Sequence, residues 1–160
     1  MATRKAPQEM IDAQVIRLAL SYTGFVEARG YLSSFRPRDG RMVRRAVLQA
    51  AILAYTRPFS GNKDHTYATA AFPLSIKKIA SPAEYQLHEQ LMALRNTTLA
   101  HADYKTAHVH ERRPGQLHSA RFLEAHHFFD LLDEPIDREL FRALCWKLSS
   151  ACIAGIAARQ

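Results

Sequence analysis

The sequence has few cysteines and no long apolar stretch, and each shortage excludes something. Cys145 and Cys152 are its only cysteines. Seven residues apart on one expected helix, they stand about 10 Å apart, too far for a disulfide. Two unpaired thiols fit a reducing compartment, so a cytoplasmic location is expected. No apolar run approaches the roughly 18–20 residues of a membrane helix. The longest candidate, Ala46 to Tyr55, is interrupted by Gln49, so no membrane partner is expected. The opening MATRKAPQEM is basic without an apolar core, unlike a secretory signal. There is no glycine-rich loop to cradle phosphates and no GxSxG elbow. His88-Glu89 begins like a zinc-protease motif, but Met92 stands where the second histidine would fall. His108, His110 and His118 could gather round a metal, yet no cysteine or spaced acid supports them. Neither a metal nor a cofactor is expected.

Acids are also short: 15 against 22 lysines and arginines, a formal charge of +7. Sixteen of those 22 bases are arginine. Arg29, Arg36, Arg38, Arg41, Arg44 and Arg45 crowd into seventeen residues, opposed by Asp39 alone. Arginine forks match phosphate oxygens bidentately, so the cluster points to nucleic acid, with Arg36, Arg38, Arg41, Arg44 and Arg45 as candidate RNA contacts. The plainer reading is a solvated basic surface that pairs with acids elsewhere.

A chain of 160 residues with 48% apolar content predicts one globular domain with a proper core. Ile11, Val15, Leu18, Tyr22 and Phe25 predict a helix from Gln8 to about Arg29, ended by Gly30. Asp39 is the expected cap of a second helix, Gly40 to about Arg57, with Arg44, Leu48, Ala51/Ile52 and Tyr55 as its stripe. Ala50, Ala51 and Ala54 would let another helix approach closely, and Pro58 would stop the element. Residues 58–80 read as a long connection with a short helical turn near Ile76. Arg113-Pro114-Gly115-Gln116 suits a type II turn, so a β-hairpin near residues 106–124 is one reading; a helix over Ser119 to Leu132 is the other. Asp133 or Asp137 would cap a last helix running to about Ala158, with Leu140, Phe141, Leu144, Cys145, Leu148 and Cys152 inward. The sum is a mainly all-α bundle of four to five helices, with room for a small hairpin.

The stretch Ser81 to Tyr104 carries the only constellation that looks like chemistry. Ser81, Pro82 and Glu84 form a helix-start signature, and Leu87, Leu91, Leu94 and Thr98 or Leu99 make an apolar stripe. His88 lies seven residues before Arg95, which returns it to nearly the same face. His101 is roughly 120° round from Arg95 and about 9 Å further along. A histidine can take the proton of a ribose 2′-hydroxyl or give one to a leaving 5′-oxygen. A fixed arginine can stabilise the charge of a phosphorane-like transition state, and Asn96 adds a neutral donor and acceptor. The plain alternative is a helix C-terminus whose macrodipole favours Arg and His.

The segment Leu94-Arg95-Asn96-Thr97-Thr98-Leu99-Ala100-His101-Ala102-Asp103 resembles the signature of the HEPN superfamily. That signature is an arginine, usually followed by Asn, Asp or His, a few residues before a histidine near the end of a bundle helix. Here five residues intervene. Tyr55-Thr56-Arg57-Pro58-Phe59, Ser60-Gly61-Asn62 and His88 are similar to a bacterial subgroup of HEPN-like proteins. The resemblance covers residues 40–104 as motif and the whole chain as helical layout. It implies a helical bundle, a homodimer with facing motifs, and a metal-independent endoribonuclease of the toxin–antitoxin or antiviral type. Arg95 and His101 would then be catalytic, Asn96 supporting and His88 assisting or orienting, with an antitoxin or regulatory protein as a partner. The runner-up is an inactive module of the same type that binds RNA, nucleotide or protein. One departure is clear: members silenced by nucleotidyl transfer carry a tyrosine two residues after the histidine, where this chain has Asp103, with Tyr104 one later. That argues against regulation through Tyr104.

Overall fold

A computed structural model describes residues 8–60, 72–96, 107–111, 123–127 and 131–159, the two strands by their backbone alone. The elements run α1 (Gln8–Ser34), α2 (Arg41–Thr56), α3 (Ile76–Ile79), α4 (Pro82–Leu94), β1 (Ala107–Glu111), β2 (Leu123–His127) and α5 (Arg138–Ala157). Single 3₁₀ turns cover Arg57–Phe59 and Leu131–Asp133. The architecture is a mainly helical bundle, as the periodicities predict.

α1 buries Leu18, Ser21, Gly24, Phe25, Ala28 and Leu32. Tyr22, expected inside, is exposed, and Ser21 takes the inward place by bonding back to the Arg17 carbonyl at 2.6 Å. Gly30 does not end the helix. It sits within α1, which continues to Ser34. Nothing crowds the position, and a helix docked along one face can carry the roughly 1 kcal/mol cost of an interior glycine. Gly24 has a different role. A Cβ there would lie 2.9 Å from the Ala54 carbonyl oxygen, so α1 and α2 approach backbone to backbone at this point. Buried Ala51 and Ala54 on the facing helix permit that approach.

α2 begins on Gly40 without a side-chain cap, so Asp39 does not serve as the expected one. The stripe itself holds: Leu48, Ala51, Ile52 and Tyr55 are buried and Arg44 is half-buried. Pro58 falls in the 3₁₀ turn that closes the helix, where its missing N–H costs no α-helical bond. α5 starts on Asp137, whose carboxylate accepts from the N–H groups of Glu139 and Leu140, both at 3.0 Å. It buries Phe141, Leu144, Cys145, Leu148 and Cys152, as predicted, with Ser149 and Gly155. Its 20 residues and mean hydropathy of 1.3 match a membrane span by length and composition. The buried stripe nevertheless sits in the core against α1 and α4.

Three contacts show that α5 runs antiparallel to α1. Arg159 bonds Gln14 at 2.9 Å, Gly155 packs against Leu18, and Trp146 lines a groove with Arg29. The centre of the molecule is aromatic. Tyr55 meets Phe141 edge to face at 5.1 Å between centroids and Phe25 at 5.7 Å, and Phe59 and Phe72 close the cluster. Tyr55, Phe25 and Phe141 are fully buried, and a ring so placed contributes about 1.5–3 kcal/mol by burial.

β1 pairs antiparallel with β2, His108 opposite His126 and His110 opposite Glu124. β2 runs to His127, beyond the predicted limit of 124, and over Leu123–His127 a strand stands where the other reading put a helix. The Arg113–Gln116 turn, His118, and the Gly61-Asn62 part of the connection lie outside the described residues.

Candidate functional site

The helix that carries the candidate site is fixed at its start. Ser81 Oγ accepts the Glu84 N–H at 3.4 Å, and Glu84 Oε2 accepts the Ser81 N–H at 2.6 Å, a full capping box with Pro82 in the first turn. Glu84 does more than cap. Its side chain is 5% exposed and takes the Lys147 ammonium of α5 at 2.6 and 2.8 Å. Burial alone would raise this carboxyl. The Lys147 bond and the Ser81 N–H outweigh burial and hold it below the ordinary carboxylate range. The site helix is thereby tied to α5 by charge as well as by Leu87, Leu91 and Leu94.

One turn on, His88 is 8% exposed. Its Nδ1 lies 2.8 Å from the Tyr55 hydroxyl of α2, and the rings of Phe59 and Tyr85 flank it at 4.8 and 5.9 Å. Burial pushes its pKa below the ordinary histidine value, opposed by the nearby Glu89 carboxylate. Burial pushes the Tyr55 hydroxyl strongly upward. The pair is thus a neutral imidazole and a protonated phenol, able to share one proton in one hydrogen bond. This is a link between α2 and α4, set in aromatic packing. Tyr55 and Phe59 likewise pack, with Tyr55 fully buried.

Seven residues beyond His88, about 10 Å along the axis, the surroundings change. Arg95 is half-exposed and Asn96 exposed, and Arg95 Nη1 donates to Asn96 Oδ1 at 2.8 Å. The Arg95 N–H is shared between the carbonyls of Leu91 and Met92. Residues 95–96 widen into a π turn, a distortion that recurs at functional sites. Arg95 and His88 do fall on one side of the helix, but one is sealed and the other open. His101, Thr98, Leu99, Asp103 and Tyr104 lie outside the described residues.

The arginine cluster divides. Arg36, Arg38 and Arg45 are exposed in and after the α1–α2 turn. Arg41 donates to both oxygens of Asp133 at 3.0 and 3.2 Å. Arg44 is half-buried, with its Nε away from solvent and without a hydrogen-bond partner, so its stem serves packing. Sequence reasoning missed the α5 side of this end of the bundle. Arg138 stacks over Phe35 at 4.1 Å, and Arg142 pairs with Glu139. The signal was present: Arg138, Arg142 and Trp146 recur every fourth residue on one helix. Burial pushes the Cys145 and Cys152 thiols up to about 12 each, which leaves them as apolar packing groups.

No family model, curated protein or solved structure matches this chain.

Proposed function

We propose that the chain is a HEPN-like, metal-independent endoribonuclease, with Arg95 and His101 as its catalytic pair and Asn96 in support. The observation that carries this reading is the open, hydrogen-bonded Arg95–Asn96 pair in the π turn at the end of α4. His101 follows it in sequence with five residues between. The chemistry needs only these groups. The substrate's 2′-oxygen attacks the adjacent phosphorus as its proton passes to the histidine. The P–O5′ bond breaks, and the departing 5′-oxygen receives a proton from the imidazolium. The products are a 2′,3′-cyclic phosphate and a 5′-hydroxyl. Arg95 would hold the phosphate and offset the extra charge of the transition state.

His88 has no such role in this proposal. Its buried bond to Tyr55 makes it a positioning residue that fixes the azimuth of α4, and with it Arg95. A homodimer with facing motifs, as the resemblance implies, would bring two copies of the Arg95, Asn96 and His101 set to one cleft. A cytoplasmic setting and an antitoxin or regulatory partner belong to the same reading. The second reading is an RNA-binding module without turnover. It is favoured by the basic surface at the α1–α2 turn, which is built independently of the motif. Purified protein on mixed RNA in EDTA separates the two. The nuclease yields cyclic-phosphate ends at a rate that changes across the histidine pH range, and the module yields salt-sensitive binding with intact RNA.

A further inference from the structure

The end of the bundle where α1 finishes and α5 begins carries a groove in two lobes. One lobe, about 220 Å³, lies between Phe35 and Pro37 of the α1–α2 turn and Arg138, Glu139 and Arg142 of α5. The other, about 330 Å³, shares Glu139 and Arg142 and is completed by Arg29 and Trp146. We infer that this groove is a subsite for single-stranded RNA, in which one base stacks on Trp146 and the flanking phosphates meet Arg29, Arg138 and Arg142. The inference rests on the RNA-binding reading above and adds to it a place and a contact mode.

Trp146 is 57% exposed although it belongs to the helix that supplies much of the core. An indole left half in water is a surface with unused stacking area. Its neighbour one turn back is Ala143, too small to cover the ring. The arginines are presented in suitable ways. The Arg138 guanidinium carbon sits over the Phe35 ring, 4.1 Å from its centroid. A guanidinium over a ring keeps N–H donors of the kind that fork onto phosphate oxygens. Arg142 is held by Glu139. Arg36 and Arg38 flank Pro37 at the rim and are exposed. Five arginines thus gather at this end of the bundle; of its acids, Glu139 pairs with Arg142, Asp133 with Arg41, and Asp137 caps α5. Cationic walls with an aromatic floor are how proteins hold single strands without reading sequence.

A second copy of the chain is the competing occupant, because exposed Tyr22, Val26 and Ile153 extend an apolar strip along the same two helices. A two-fold contact centred on the groove would set two such arginine groups against each other. Like charges brought together across an interface cost several kcal/mol in general, so a polyanion is favoured.

Trp146 is the only tryptophan, so its fluorescence reports this groove without a label. Full-length protein carrying His101→Ala, to prevent cutting, is titrated with a 12-nucleotide oligouridylate and the same length of oligoadenylate. Binding is followed in parallel by anisotropy of the dye-labelled strand. The expected result is saturable quenching that coincides with the anisotropy change. Trp146→Ala should weaken binding between about fivefold and a hundredfold, and Trp146→Phe by much less. Arg29→Ala with Arg142→Ala should flatten the salt dependence. If the strand binds by anisotropy while fluorescence and the Trp146→Ala affinity stay unchanged, the groove assignment is overturned and the nuclease reading stands. If no strand binds, both fall. A tryptophan signal that depends on protein concentration alone assigns the surface to self-association and overturns the RNA subsite.

Discussion

The two halves of α4 carry similar residues to opposite ends. His88 and Arg95 share one side of the helix, seven residues apart. The first half is sealed: Glu84 and His88 are buried, and each polar group meets a partner on another helix, Lys147 or Tyr55. The last turn is open, and among the described residues the Arg95 side chain bonds its own neighbour Asn96. Helical phase places residues on a face but does not decide what that face meets. In the first half the polar groups set the position of α4; in the second, Arg95 is half-exposed and Asn96 exposed, bonded to each other. Substitutions in the sealed half should therefore cost stability, and substitutions in the open half should cost function.

The largest structural effect should come from the ring that both halves depend on. Tyr55→Ala removes a fully buried aromatic that touches Phe25, Phe59, His88 and Phe141. A loss of about 3–5 kcal/mol is expected, read as a large fall in denaturant midpoint. A loss under about 1 kcal/mol would mean that the core is not built round this ring. Next is Lys147→Ala, which strands a carboxylate of 5% exposure while Lys147 itself is 40% exposed. The expected cost is about 1–2 kcal/mol, below that of a fully buried pair because solvent already screens the ammonium. A neutral result would show the Glu84 tie to be ornamental.

pH separates the two buried groups further. His88 has a folded pKa below its ordinary value of 6.5. The unfolded chain therefore binds the proton first, and stability falls as pH drops below about 6.5 until the folded pKa is passed. Glu84, whose folded pKa lies below 4.5, contributes stability that is fully present above that value and is lost as pH falls through the folded pKa. Melting curves from pH 7.5 to 5.0 should show the first loss in wild type and a shallower one in His88→Gln. Equal slopes would remove His88 as the source. The smallest stability effect belongs to the open half: Arg95→Ala should change stability by less than about 0.5 kcal/mol. A larger loss would make Arg95 a structural residue.

Much of this was readable from the chain. Ser81, Pro82 and Glu84 announced the start of α4, and the stripes of α2 and α5 placed Tyr55, Leu148 and Cys152 inside. Those features are local, and local spacing is what sequence shows. Gly30 and Asp39 misled because their meaning depends on tertiary context. α1 is carried past Gly30 by docking along its length, and α2 starts on Gly40 without a side-chain cap. The sealing of His88 needs α2 and the 3₁₀ turn to arrive from residues 55–59. The Arg29–Trp146 groove needs α1 and α5 to lie antiparallel, over a hundred residues apart in the chain. No one-dimensional pattern states either juxtaposition.

The most direct measurement compares wild type, Arg95→Ala and His101→Ala on one RNA substrate in EDTA, with a melting curve on each sample. Cyclic-phosphate products are expected from wild type and none from either variant, with melting temperatures that coincide. Cleavage by His101→Ala at the wild-type rate, or activity that vanishes with the chelator, would contradict the nuclease reading.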